Sequence, residues 1–227
     1  YSRFDRYFVE TNIDAMLRFH KNLSENLNLN ALLGTNIRRS RVDQTFASTN
    51  NGLVVPGLYT LGNSLDPMLP PEESLHEIGV NGIYLQASLG YKDLLYLDAT
   101  LRRDQSSTLP EDNNDYYYPS VTGSFIFTNL IDKIEWMNFG KVRLGYAQVG
   151  NDAPWGSLID TYVQNPSFTG NTLYSVANTK NNPNLKPERT NSIEGGLEMY
   201  FLKRRVGFDL ALYKTNTVDQ IVTVSVS

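Results

Sequence analysis

The stretch that decides the fold runs from Asn181 to Val222 and has the sequence NNPNLKPERTNSIEGGLEMYFLKRRVGFDLALYKTNTVDQIV. Two segments of it, on either side of the basic turn Lys203-Arg204-Arg205, alternate with a period of two residues. Every second residue of each segment lies on one mostly apolar face: Asn191, Ile193, Gly195, Leu197, Met199, Phe201, then Val206, Phe208, Leu210, Leu212. The stretch therefore predicts a long antiparallel hairpin with one apolar and one polar face.

Composition limits the classes of protein to which the chain can belong. The chain has 227 residues, a net charge of -4 and no cysteine. Without cysteine it has no disulfide, no thiol catalysis and no cysteine metal site, and the lack of a basic tract argues against a nucleic-acid partner. No apolar run approaches the length of a membrane helix. A membrane β-barrel remains open, because its apolar residues are hidden in alternation.

Six further segments alternate in the same way, so the chain is predicted to form eight strands. The eight predicted strands are Val9–His20, Leu27–Arg38, Ile83–Tyr91, Leu95–Arg102, Val121–Thr128, Lys141–Ala147, Asn191–Phe201 and Val206–Tyr213. Short turns follow the first, third and seventh strands, and an amphipathic connection at 130–139 follows the fifth. Polar loops that lack periodicity are predicted at about 39–79, 103–120 and 150–189.

Three features bear on what the apolar faces contact. The central part of each apolar face carries no charged residue, which fits a membrane barrel and also a soluble β-sandwich. Short and mostly long connections alternate, as in outer-membrane barrels. Apolar-face aromatic residues collect near the short turns, as expected at a lipid interface; they are Phe19, Tyr91, Phe127, Phe201 and Phe208. The membrane barrel is favoured, and a soluble carbohydrate-binding β-sandwich stays open as the alternative.

The opposite face of the predicted strands carries many charged residues. If the sheet is a barrel, this face must be wet, since an unpaired charge buried away from water is too costly. Eight strands enclose an interior that side chains only just fill. With the short turns in the periplasm, both ends of the chain would lie outside the cell. The chain is therefore interpreted as an internal piece of a larger barrel, shortened by processing or truncation before Tyr1.

Several segments resemble one family in the same order along the chain. The Asn181–Val222 stretch resembles the late barrel region of the SusC/RagA group of TonB-dependent outer-membrane transporters. GYKDLLYLDATLRRDQSSTLP resembles that family's strand-turn-strand, which ends in an Arg-x-Asp-x-Ser-Ser loop. YYYPSVTGSFIFTN resembles its next rising and falling segment, and GKVRLGYAQVGND resembles the strand that leads into its large loop. The resemblance covers about Gly82 to Val222, and more loosely the hairpin before it.

The resemblance implies an all-β fold, in which these eight strands belong to a transmembrane barrel of about twenty-two. Residues 1–227 would then be part of the barrel, without its plug domain or its final strands. The implied partners are a SusD-like surface lipoprotein, TonB–ExbB–ExbD acting through the plug, membrane lipid, and an oligosaccharide or peptide substrate. A homodimer of transporter–lipoprotein pairs is compatible with the resemblance. It implies no cofactor and no enzymatic activity.

Candidate sites are few. Tyr116, Tyr117, Tyr118 and Trp155 are predicted in outer loops, where they could stack on a substrate or pack in the loops. A solvated loop is favoured over a Ca²⁺ site for the acidic run 111–115, because ligand spacing is missing. Turn chemistry is favoured over binding for the segment 184–188. An outer-membrane barrel enzyme would need Ser, Asp and His to converge, and the two isolated histidines, His20 and His76, give little scope for it.

Overall fold

A computed structural model describes residues 1–131 and 136–224; residues 132–135 of the predicted amphipathic connection lie outside the described residues. The strands of the described part are β1 (Ser2–Ser24), β2 (Leu27–Ser48), β3 (Asn50–Leu53), β4 (Ser64–Asp66), β5 (Glu72–Tyr91), β6 (Leu95–Ser106), β7 (Asp115–Phe125), β8 (Met137–Asn151), β9 (Tyr162–Phe168), β10 (Asn171–Val176), β11 (Glu188–Phe201) and β12 (Val206–Val218). None of the helices in this part is long and apolar enough to cross a membrane.

Eight of the strands form one antiparallel sheet in the order β1-β2-β5-β6-β7-β8-β11-β12. Each strand pairs with the next long strand along the chain, so the sheet is a simple meander. The pairs β3–β4 and β9–β10 form separate two-stranded sheets within the loops that join β2 to β5 and β8 to β11. The prediction of an all-β fold with eight principal strands is confirmed.

The first two predicted loops, at about 39–79 and 103–120, are shorter in the structure than the sequence predicts. β2 continues to Ser48, and β5 already begins at Glu72. The two strands extend this far because the pairing of β2 with β5 continues to the partners Phe46 and Glu72. Their alternation changes phase beyond Ile37: Arg39 and Arg41 occupy the face that is apolar below, whereas Val42 and Phe46 occupy the other. A prediction based on one continuous apolar face therefore ends β2 too early and begins β5 too late.

The fifth predicted strand was misplaced at both ends. β7 begins at Asp115, because residues 115–118 pair with 102–105 of β6. It ends at Phe125, and Phe127 lies in a 3₁₀ turn. That turn docks on β8: the backbone N–H of Gly140 donates to Thr128 Oγ1 at 3.2 Å. The Phe127 ring fills the space that a side chain at Gly140 would need.

The ladder between β7 and β8 is short. Only residues 120–125 of β7 pair with residues 142–147 of β8. Above that level β7 stays on β6 as far as Asp115, and β8 stays on β11 as far as Asn151. In the upper part of the sheet, backbone pairing is therefore interrupted between β7 and β8.

The sheet leaves most apolar side chains uncovered. Its accessible surface is 16535 Å², whereas a compact protein of this mass would expose about 10,400 Å². Leu17, Leu144 and Leu212 are 71%, 66% and 69% exposed. A β-sandwich would cover such residues with a second sheet, and the eight-stranded sheet has no second sheet packed on it in the described residues. The described residues therefore do not form a sandwich among themselves.

The uncovered apolar residues form a band bounded on both sides. At the short-turn end the band is bounded by aromatic residues on the same face: Phe19, Tyr91, Phe125, Phe201 and Phe208. At the other end it is bounded by cationic residues on that face: Arg39, Arg103, Arg189 and Lys214. This pattern is typical of a lipid-facing surface between two interfaces. We call this the outward face.

The upper boundary descends from strand to strand. Arg39 pairs with Gly79 on β5, whereas Arg103 pairs with Ile83, further down the same strand. The descent continues to Lys214 on β12. A drop of about 8 residues from β2 to β12 gives a tilt of roughly 40°, at ~3.3 Å per residue and ~4.8 Å between strands. With this tilt, about nine residues per strand span roughly 23 Å, close to the apolar height of outer-membrane barrels.

The inward face of the same strands carries ion pairs. Arg143 Nη2 lies 2.9 Å from the Asp209 carboxylate, and Arg143 Nε lies 3.5 Å from that of Glu194. Lys141 lies 3.8 Å from Glu198. Glu194 and Asp209 keep about half of their side-chain surface exposed, so each such pair is worth at most about 1 kcal/mol. These charges therefore indicate a hydrated interior.

An arginine at Leu210 tests the assignment of the faces. Leu210 pairs with Leu197 in the middle of the apolar band and is 52% exposed. We expect Leu210→Arg or Leu197→Arg to weaken barrel assembly in bilayers by about 2–4 kcal/mol. Tyr213→Arg, on the inward face of the same strand and 76% exposed, should leave assembly nearly unchanged. Folding titrations of the full-length protein into vesicles measure the difference, and equal effects of the Leu210 and Tyr213 variants would contradict the assignment.

Candidate functional site

A small buried cluster lies where the outer ends of β6, β7, β8 and β11 meet. We call it the rim cluster; its members are Leu109, Tyr116 and Ala153, with Tyr118, Leu185 and Ile221 packed against them. Leu109, Tyr116 and Ala153 are 4%, 7% and 3% exposed. The rim cluster includes most of the buried apolar side chains in the described residues, so it is the principal core of the outer loops.

The Arg-x-Asp-x-Ser-Ser segment ties this cluster to its neighbouring strands. Ser106 is 1% exposed, and its hydroxyl donates to Asp152 Oδ2 at 2.6 Å. The backbone N–H of Ser107 donates to the carbonyl of Gly79 at 2.9 Å, and Gly79 N–H donates back to Ser107 Oγ at 2.9 Å. The two serines therefore join β5, β6 and the end of β8.

The charged residues of this segment lie on opposite faces. On the inward side Arg102 Nε lies 2.8 Å from Asp104 Oδ1, and its guanidinium lies 5.5 Å from the centroid of the Tyr84 ring. A Cβ at Gly82 would lie 2.5 Å from Asp104 Oδ1, so a side chain there would displace this ion pair. On the outward side Arg103 Nη2 donates to Asp115 Oδ2 at 2.6 Å.

The segment before β11 is also held by hydrogen bonds. Glu188 Oε1 accepts the backbone N–H of Ile221 at 2.7 Å, and its Oε2 accepts Asn151 Nδ2 at 3.3 Å. Asn181 Nδ2 donates to the carbonyls of Gly156 and Ile159 at 3.0 and 2.7 Å. These contacts fix the loop at its re-entry into the sheet, the structural role favoured from the sequence.

The three predicted tyrosines lie in β7 and not in a loop, and they face in different directions. Tyr116 is inward and buried, and its ring meets Tyr118 edge-on with centroids 5.0 Å apart. Burial raises the pKa of the Tyr116 hydroxyl above its usual value, and the nearby carboxylates of Asp152 and Asp104 act in the same direction. Its phenol therefore stays neutral and packed within the rim cluster.

Tyr117 lies on the outward face, beside Arg103, its partner on β6. It is 54% exposed and lines a cleft of about 630 Å³, together with Tyr116, Lys186 and Arg189. The sequence-predicted tyrosines are thus separated: Tyr116 and Tyr118 lie together, and Tyr117 lies on the opposite side of the wall.

Trp155 lies in the loop after β8 and stacks on His76 of β5. The ring centroids are 4.0 Å apart and the planes differ by 20°. Trp155 remains 47% exposed. His76 pairs with Val42 in the upper part of β2, on the inward face. The predicted site residue is therefore joined to a region that the sequence prediction had assigned to a loop.

That region carries aromatic residues that sequence reasoning missed. We call Phe4, Phe8, Val42 and Phe46 the vestibule strip; they lie on the inward faces of β1 and β2 beyond the apolar band. Phe4, Phe8 and Phe46 are 58%, 53% and 38% exposed. Their period-two spacing was visible in the sequence, but it is in the opposite phase to the strands below.

Metal binding and acid-base chemistry have little support in the geometry. Glu111 and Asp112 begin a 3₁₀ turn, and Asp115 is paired with Arg103. Across residues 1–131 and 136–224 no group of three or more His, Cys, Asp or Glu residues could hold a metal ion. His20 Nδ1 is hydrogen-bonded to Asn30 Oδ1 at 2.7 Å.

A protein-family model described as TonB dependent receptor-like, beta-barrel, matches residues 1–227. The chain belongs to this family. The TonB-dependent receptors P26 and P39 of Formosa agariphila are 28% and 25% identical to it, in alignments that cover 95% and 65% of the chain. The chain spans only 22% and 14% of the lengths of these relatives.

Solved structures show the same fold. A chain in the structure of the RagAB peptide transporter superposes with a TM-score of 0.87 at 22% identity, over 100% of this chain and 26% of that one. The RagAB peptide importer in its 'closed-closed' and 'open-open' states gives TM-scores of 0.82 and 0.80 at 22% identity, over 95% of this chain and 24% of each. Together with the family match, this confirms the TonB-dependent receptor barrel predicted from the sequence.

The burial of Tyr116 predicts a structural effect on substitution. We expect Tyr116→Ala to destabilise the outer loops by about 3 kcal/mol, since a large buried ring is removed from their core. The neighbouring Tyr117→Ala should change stability by less than about 0.5 kcal/mol, because that ring is exposed. Limited proteolysis of the full-length protein in detergent, followed at residues 107–114 and 152–187, measures the effect. Equal protection in the two variants would contradict the burial argument.

Proposed function

We propose that the full-length protein is an outer-membrane TonB-dependent transporter that imports large nutrients. The single observation that carries the proposal is the tilted apolar band, which has an aromatic lower boundary, a cationic upper boundary and a charged inward face. A surface of this kind fits a bilayer on the outside and water on the inside. Membership of the TonB-dependent receptor family supports the same function.

In this proposal the chain supplies wall and outer loops of a barrel of about twenty-two strands. The plug domain and the TonB-contacting segment would be supplied by other parts of the protein. TonB, with ExbB and ExbD, would provide energy from the inner membrane. A SusD-like surface lipoprotein would cover the mouth, and two such transporter–lipoprotein pairs would form a dimer.

The proposed substrates are oligosaccharides or peptides too large for simple pores. Similarity in fold to the RagAB peptide transporter supports the peptide class. The strongly hydrated inward face, with Arg143, Asp209 and Glu194 exposed to water, is compatible with polar cargo of either class.

The function predicts energy-dependent uptake. A deletion strain that carries the full-length gene on a plasmid should accumulate fluorescent peptides or oligosaccharides, and deletion of tonB should abolish accumulation. The same strain with an empty plasmid is the control for other routes of entry. Uptake that persists without TonB, or recovery of the full-length protein in a soluble fraction without detergent, would contradict the proposal.

A further inference from the structure

The vestibule strip lies on the luminal side of the wall, above the membrane. The pairing of β1 with β2 is unbroken from Ser2 to Asn22, and that of β2 with β5 is regular throughout. Alternation is therefore preserved along these strands. Phe4 and Phe8 face the same way as Asp14 and Arg18 below them, and hence toward the mouth of the barrel.

The outward face at the same height is charged. Arg3 Nε lies 2.7 Å from Asp5 Oδ2, and Arg41 Nη1 lies 3.1 Å from Glu77 Oε1. These side chains are half exposed or more. The outside of the wall is therefore mostly charged here, with Tyr7 as an exposed ring, whereas Phe4, Phe8 and Phe46 expose their rings on the inside. This inversion sets the strip apart from the lipid-facing residues.

The strip is divided into two apolar stations. The first is the cross-strand pair Phe4 and Phe46, and the second is the pair Phe8 and Val42. His76, the partner of Val42 on β5, carries Trp155 on its ring and extends the second station. Four residues of strand separate the stations, which is a distance of roughly 14 Å.

A polar row lies between the two stations. Its members are cross-strand partners: Arg6, Gln44 and Ser74. The Arg6 guanidinium lies 6.0 Å from the centroid of the Phe8 ring, and Ser74 Oγ donates to Gln44 Oε1 at 3.3 Å. The row thus offers amide and guanidinium groups beside exposed rings. Glu72, next to Phe46, and Glu10, beyond Phe8, add negative charge at the two ends.

We propose that the vestibule strip binds an extended peptide cargo that has apolar side chains about four residues apart. In an extended chain, residues i and i+4 are separated by roughly 13–14 Å and point to the same side. The apolar side chains would occupy the two stations. The peptide backbone between them would exchange hydrogen bonds with Gln44 and Arg6. A glutamate at either end would attract the amino terminus of the peptide, and Arg6 between the stations would attract a carboxylate.

The same arrangement disfavours an oligosaccharide. A sugar needs hydrogen-bond partners for its many hydroxyl groups, because each one buried without a partner costs about 1–3 kcal/mol. The rings of Phe4, Phe8 and Phe46 supply no polar atom, and the row between them offers only three polar side chains, Arg6, Gln44 and Ser74. The strip therefore selects the peptide class among the substrates of the proposed function, on which this inference rests.

The test is peptide binding by the intact transporter with its lipoprotein partner in detergent. The probe is the pentapeptide Phe-Gly-Gln-Gly-Phe, measured by isothermal titration calorimetry. The double variant Phe8→Ser/Phe46→Ser should bind it at least tenfold more weakly than the unmodified protein. The matched control is Tyr7→Ser, since Tyr7 is adjacent to Phe8 on the outward face and is 65% exposed; its affinity should be unchanged. Heat-modifiable migration in gels verifies that each barrel is folded.

The spacing of the stations gives a second readout. The comparison peptide is a pentapeptide whose two phenylalanines are adjacent. It should bind the unmodified protein more weakly than the probe does, whereas the double variant should bind the two peptides with equal affinity. The inference would be overturned if the probe did not bind, or if the double variant bound it with unchanged affinity. It would also be overturned if Tyr7→Ser lost as much affinity as the double variant, or if the double variant lost its lipoprotein partner and kept its affinity for the peptide. Weaker binding of maltoheptaose in the double variant would also overturn it. TonB-dependent uptake is measured separately, so failure here leaves the transport proposal standing.

Discussion

Uninterrupted backbone pairing is the constraint on which the rest of this structure depends. Within lipid, an unpaired N–H or C=O group has no water to bond, so a membrane-spanning strand must be paired along its whole length. The ladders within the sheet meet this requirement, apart from the short ladder between β7 and β8. Within the main sheet their only irregularities are at the short-turn end, between Asn22 and Ser24 and between Tyr200 and Phe201. Because no bulge interrupts the span, each strand keeps the same two faces from end to end.

The constant faces explain which parts of the fold were predictable. Leu197 and Leu210 could be assigned to one surface from the sequence, because period-two alternation is local and needs no knowledge of tertiary contacts. The upper halves of β1 and β2 could not be found in the same way. There the medium outside changes from lipid to water, so the apolar residues move to the other face. Phe46 and Arg41 follow the rule of alternation, but with inside and outside exchanged.

The rim shows the complementary limit of sequence reasoning. Ser106, Tyr116, Asp152 and Glu188 lie in segments that were recognised individually. Their convergence depends on contacts between distant parts of the chain, which no local pattern encodes. The opposite directions of Tyr116 and Tyr117 were in principle predictable, since neighbours in a strand alternate. They were missed because a run of three tyrosines in polar surroundings resembles a loop.

The short ladder between β7 and β8 has a mechanical consequence. Below Ser120 the wall is closed by backbone hydrogen bonds, but above it β7 moves with β6 and β8 moves with β11. Only side-chain contacts cross this seam, notably Ser106 with Asp152 and the Tyr118 ring over Gly150. Widening of the wall at this point would therefore break side-chain contacts of the rim and none of the inter-strand backbone bonds in the described ladders.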